Sequence, residues 1–206
     1  MRTDLLTLTQ WMSPAFPLGS FAYSHGLETA ISEGKVSNAS ELQNWLHVIL
    51  TRGSGWTDAL LLCAARDGES PTVLARALAS SKERLEETEA QGAAFAATLR
   101  AMGRDIEDAP LPVALGVASR SLELESGLIA GIYLQSFTSN LVSCAVRFVP
   151  LGQNEGQSVL AALAPAIQAT AERAAAATLD DLGSGAFFSD ISAMKHETQT
   201  ARVFRT

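Results

Sequence analysis

The sequence predicts an all-α fold, an irregular multi-helix bundle around a buried central helix, with a C-terminal tail. Three observations predict it. Alanine is in excess through the middle and late parts of the chain, while Val, Ile, Thr and Tyr do not gather into strand-like runs. Apolar residues recur at helical intervals between recognisable caps and breakers. The segment Ser126 to Val146 carries no charged residue and no polar stripe, so it must be enclosed by other helices. Internal repeats and βαβ alternation are absent from the sequence.

Taken in order, the first helix begins at Asn38, which stands three residues before Glu41 at a capping-box spacing. Leu42, Trp45, Leu46, Ile49 and Leu50 line one face, and Gly53 ends it. A second helix runs from Thr57 to Asp67, where Gly68 stops it. Ser70 and Pro71 read as the N-cap and first-turn proline of a third, reaching Ser80. The fourth, Lys82 to Met102, starts with charges and becomes small after Gly92. Its Gly92, Ala93, Ala96 and Ala97 would admit a neighbouring helix closely. Pro110 and Pro112 open the fifth, to Arg120. The uncharged helix comes next and ends before Pro150. Gly152 to Gly156 is a turn, and the alanine-rich helix beyond it, to Leu179, should be kinked or broken at Pro165. Asp180 to Gly185 reads as a linker. Residues 186–206 lack a sustained period and read as a tail ordered only when docked, which divides the chain into 1–185 and 186–206.

Length and composition bound the function. A chain of 206 residues is one ordinary domain, or at most two small ones, and 47% hydrophobic residues exclude disorder as the overall state. Fifteen Lys and Arg against 22 Asp and Glu, with a pI near 5.0, count against nucleic acid. The uncharged segment is long enough for a bilayer, but Gln135, Ser136, Thr138, Ser139, Asn140 and Ser143 favour a buried helix. Cys63 and Cys144 read as two buried thiols in a reducing compartment, and Met1 to Gln10 lacks the apolar core of a signal peptide. A cytoplasmic protein without membrane or nucleic-acid partners is expected.

The search for catalytic apparatus is negative. The Gly34-Lys35 pair is followed by Val36 and makes no P-loop. Gly53-Ser54-Gly55 and Gly183-Ser184-Gly185 lack nucleophile-elbow spacing. His196-Glu197 begins like a zincin helix, but no histidine stands where the second is needed. His47 reads as a boundary residue of its helix. His25 and Glu28, three apart, could share a helix face and touch a metal transiently, but a hydrogen-bonded histidine in a packed turn is the better reading of His25. No catalytic residue and no tightly bound cofactor are expected.

The segment from Ser13 to Glu28 is too particular for a plain loop. Pro14, Pro17 and Gly19 fix an extended turn, Ser20 is placed as a cap for the residues beyond it, and Phe16, Phe21 and Tyr23 supply apolar anchors. Together with Glu86–Gly92, Tyr133–Asn140, Val146–Gln157 and Asp190–Thr206, it resembles the urease accessory proteins of the UreF family. These blocks occur in family order over nearly the full chain. The resemblance implies an all-helical, generally dimeric, non-enzymatic protein. It further implies an adaptor that links UreD (also called UreH) to the nickel-carrying GTPase UreG, so that the assembly delivers nickel to apo-urease. Nickel would then be handled by the complex.

The resemblance also implies site residues. Arg147 matches the basic position before the Val-Pro-Leu-Gly-Gln block and Arg202 the arginine of the terminal motif, both implied to couple to the GTPase. The N-terminal block with Phe16, Pro17, Gly19, Tyr23, His25 and Glu28, and the terminal block with His196, Glu197, Phe204 and Arg205, look like parts of the complex with UreD. Phe187, Phe188 and Phe204 are expected to bury area on docking. The chain departs from the family pattern at Thr200 (commonly tyrosine), Val203 (leucine) and Thr206 (serine). An alternative makes the protein a regulator of UreG, with Arg147 or Arg202 acting on GTP hydrolysis like an arginine finger.

Overall fold

The computed structural model describes residues 2–205; the Thr206 substitution lies outside them. The elements are helices throughout: α1 (Arg2–Trp11), α2 (Leu27–Ser32), α3 (Ala39–Arg52), α4 (Ser54–Arg66), α5 (Thr72–Ala77), α6 (Lys82–Ala101), α7 (Leu111–Ser119), α8 (Ser126–Ala145), α9 (Gln153–Ala176) and α10 (Phe187–His196). The all-α bundle is as expected. The sequence does not announce α1; it buries Leu8 and Trp11, and Trp11 meets Phe95 edge-on at 5.7 Å.

Local chemistry sets several boundaries. Asn38 accepts the N–H of Glu41 at 3.0 Å and caps α3. Gly53 ends α3 and at once precedes α4, so α4 starts at Ser54 rather than Thr57. A side chain at 53 would meet Ala186 Cβ at 2.8 Å, which leaves room only for glycine at this one-residue corner. α5 stops at Ala77, short of Ser80, because the chain must extend at Ser81 to cap α6, where Ser81 Oγ accepts the Arg84 N–H at 3.1 Å. Gly152 lies just before α9 and donates its N–H to Glu155 at 2.9 Å, so the expected turn is already a capped helix start.

α4 is buried along its whole length from Gly55 to Ala65. α8 is buried along one side, through Ile129, Ala130, Tyr133, Leu134, Thr138, Leu141, Val142, Cys144 and Ala145. It is long and apolar enough to cross a membrane, with mean hydropathy 1.2, yet half of it is covered by other helices. It packs on α9, α4 and α3. Gly92 receives the backbone of the segment entering α7, where an added Cβ would stand 1.8 Å from Ala109 O. Ala96 is buried beside it, whereas Ala97 faces outward. α9 runs unbroken through Pro165, which sits on the exposed side while Leu163 and Ile167 hold the helix to the core. Both thiols are buried, and burial pushes each up to about 12.

The segment read as a linker is pinned. Leu179 and Leu182 pack on Leu61, Ala65, Ala75 and Val113, and Gly185 donates its N–H to Arg52 O at 2.7 Å. The tail expected to order only on docking instead forms α10 and lies against α2 and α6 of the same chain. Its local sequence lacks a capping side chain at Ala186; tertiary packing of Ser192, Ala193 and His196 supplies what local signals do not.

Candidate functional site

The sequence blocks named above meet along one seam between α2, α6, α8 and the segment that begins with α10. The N-terminal block enters it through a left-handed Gly19 (φ 71°) and a short 3-10 turn at Ser20–Ala22. Phe16 is buried 5.8 Å from Phe95, while Pro17 is exposed. Gly26 is the N-cap of α2 and lends no side chain, and Ser24 rather than Ser20 serves the helix start: its Oγ accepts the Glu28 N–H at 3.3 Å. His25 (φ 54°) and Gly26 (φ 73°) are both left-handed, and this pair turns the chain sharply into α2. Gly26 is forced by packing as well, since a Cβ there would lie 2.4 Å from Ala193 N.

That turn separates His25 from Glu28, so the expected shared helix face does not exist. His25 lies off α2 and faces inward; its Nε2 stands 3.0 Å from Glu87 Oε1 and its ring meets Phe137 edge-on at 4.8 Å. Glu28, on α2, faces α10 instead. The inner half of the seam is an ion cluster. Arg84 pairs with Glu87 and lies 3.5 Å from Asp58, Tyr133 donates to Asp58 at 2.8 Å, and Gln91 donates to Glu87 at 2.9 Å. Burial opposes the charge on Glu87, but Arg84 and His25 outweigh it and hold the carboxyl down at about 2. Burial raises the Asp58 carboxyl despite Arg84, and burial followed by Asp58 raises the Tyr133 phenol. The cavity beside His25, Glu87, Gln91 and Tyr133 measures about 40 Å³, room for water rather than a substrate.

The outer half belongs to the C-terminal segment. His196 is fully buried, with Nδ1 2.8 Å from Glu83 and Nε2 3.3 Å from Glu28. Arg202 donates to Glu83 at 2.8 Å. Glu197 accepts the Lys82 N–H at 2.8 Å and so caps the start of α6. Glu28 accepts the N–H groups of Val203 and Phe204, each at 2.9 Å. Phe204 is buried against Phe148 at 5.3 Å, with the exposed Arg147 5.8 Å over its ring. Phe204 therefore buries its area within the chain, while Phe187 and Phe188 remain 70% and 73% exposed. Arg205 is exposed and donates its N–H to Ala22 O at 2.7 Å. His47 is exposed on α3, and Thr200 is also exposed.

Asp58, Glu83, Arg84 and Ser24 complete the seam, and sequence reasoning does not single them out. Glu83, Glu87 and Gln91 recur at four-residue steps, a signal of one helix face, but charges at a helix start read as solvated. Among the described residues no group of three or more His, Cys, Asp and Glu is arranged to hold a metal ion. Glu28 and Glu83 stand at opposite nitrogens of His196, a geometry that bridges carboxylates and cannot chelate.

A family model described as UreF matches residues 36–164. The chain belongs to the UreF family. Relatives described as urease accessory protein UreF include one from Cereibacter sphaeroides, 55% identical over 210 residues and covering all of both chains. Another, from Jannaschia sp., is 47% identical and covers 98% of this chain and 94% of its own length. One from Mesorhizobium japonicum is 46% identical, covering 98% and 96%. The matches to these UreF proteins extend beyond the family model at both ends, so they include the N-terminal block and the segment after α10. Membership makes the chain a urease accessory protein and not an enzyme.

Proposed function

We propose that this UreF-family protein is a cytoplasmic adaptor chaperone for nickel insertion, homodimeric, binding UreD on one side and the GTPase UreG on another so that the complex loads apo-urease. The observation that carries the reading is the convergence of the N-terminal block, Glu87 and Gln91, Tyr133 and Phe137, and the terminal block on one seam. There the side chains hold one another, and none is arranged for turnover. The outward surface beside that seam suits protein contact. α10 exposes Phe187, Phe188, Ile191 and Met194, and such a contiguous apolar face favours a protein partner. Arg147 and Arg205 add positive charge at the other end of the segment.

Co-purification with UreD and UreG tests this. Wild type is expected to capture both, a chain ending at Gly185 neither, and Arg202→Ala less UreG than wild type. Wild-type capture by the Gly185 truncation would remove the reading. In the regulatory alternative an arginine finger would raise single-turnover GTP hydrolysis by UreG about 10³–10⁵-fold. Arg202 is committed to Glu83 and Arg147 stacks over Phe204, so an unchanged hydrolysis rate is expected.

A further inference from the structure

We infer that Glu28 is the positioning residue of the C-terminal segment 197–205, and that Glu28, His196 and Glu83 form a clamp fixing that strap over the N-terminal block. The contacts form a closed circuit. Glu28 meets His196, His196 meets Glu83, Glu83 meets Arg202, and the next two residues of the strap return to Glu28 through their backbone N–H groups. Both glutamates are buried, at 5% and 6% exposure, and both find their partners in residues 196–204. A buried carboxylate that accepts two consecutive N–H groups fixes the direction of the backbone as well as its position.

The strap's other holds are single contacts spread along its length. After His196 its own turns supply Thr198 N–H to Lys195 O and Gln199 N–H to His196 O. Beyond those, the Glu197 carboxylate on the Lys82 N–H at 2.8 Å, the Arg205 bond to Ala22, the Thr29 bond to Gln199 at 3.0 Å and the Phe204 ring anchor it to the body. Among the described residues Glu28 alone holds the strap at consecutive residues. It positions the outward set, Val203 at 70% exposure and Arg205, and holds the buried Phe204 beneath Arg147. The inference rests on the adaptor reading in one respect, that this outward set meets a partner.

The test uses the full chain with amide hydrogen exchange, a melting curve and capture of UreD and UreG. Glu28→Gln keeps shape and one acceptor but removes the charge. It is expected to speed exchange at Val203 and Phe204 at least about tenfold, with α9 amides and the melting midpoint unchanged, and to weaken capture. Glu28→Asp, which restores charge at shorter reach, is expected to recover part of the protection. Wild-type exchange at Val203 and Phe204 in Glu28→Gln overturns the clamp. So does faster exchange spread evenly over all helices, which would mark a merely structural role. Should Glu28→Gln fail to fold, Glu83→Gln reads the same circuit from its other side: exchange limited to 196–205 supports the clamp, and undisturbed exchange there overturns it. A loosened strap with undiminished capture leaves the clamp standing and removes the strap from the adaptor reading.

Discussion

Gly26 and Ala193 touch through their backbones: a Cβ on Gly26 would stand 2.4 Å from Ala193 N. The α2 entry and α10 can approach this closely only because residue 26 has no side chain. Gly26→Ala is expected to destabilise the protein by more than the ~1–2 kcal/mol of left-handed backbone alone, and to raise exchange throughout α10. Gly34→Ala is the control, since Gly34 has φ 73° but nothing within 4 Å of an added methyl. Thermal melts of the two variants should differ, with Gly34→Ala showing only the backbone cost.

Arg84 compensates Glu87 and Asp58 in the interior, while Arg76 pairs with Glu89 at the surface. Replacing Arg84 by Met leaves buried carboxylates without their cation and is expected to cost about 3–5 kcal/mol in urea unfolding. Arg76→Met is expected to leave the urea midpoint within error, because solvent screens the pair it breaks.

Glu87 also governs acid stability. Its folded carboxyl lies at about 2 against an ordinary 4.5, so its contribution is complete above 4.5 and lost as pH falls from there towards 2. Glu87→Gln should be less stable than wild type at neutral pH, and the gap should narrow through that window. Asp58 acts in the opposite sense, because burial raises its carboxyl and lower pH then favours the folded state. Urea unfolding of wild type and Glu87→Gln in parallel, from neutral pH down to about 2, isolates the Glu87 part.

Pro165 lies on the exposed side of an unbroken α9. It withholds an N–H from the helix ladder and crowds the preceding turn, so Pro165→Ala is expected to stabilise the chain by up to about 3 kcal/mol. A higher melting midpoint with unchanged helix content checks this.

Elements with local signals are legible in the sequence, and those made by distant packing are not. The Asn38 cap, the charged start of α6 at Lys82 and the charge-free stretch of α8 each announce themselves within a few residues. α10 begins at an uncapped Ala186, and its buried face consists of Ser192, Ala193 and His196, too small and polar a stripe to read as amphipathic. The site shows the same divide. Tyr23, His25, Glu28, His196 and Phe204 are visible as residues of distinctive blocks, but which groups they pair with is not. His25 finds Glu87 across 62 residues and His196 finds Glu28 across 168. Glu83 and Arg84 look like solvated charges until those distant groups are in place, and Pro165 misleads because its cost is borne by the packing of its neighbours.

The circuit through His196 has a consequence for biosynthesis. A chain is made from its N-terminus, so α2 and α6 emerge from the ribosome long before residues 196–204. Throughout that interval Glu28 and Glu83 lack the imidazole and the backbone donors that allow them to be buried, and hydration holds that edge of the nascent body open. Closure of the seam is thus a late event of synthesis, and ribosomes stalled before codon 196 should carry a body whose N-terminal block is still accessible to protease.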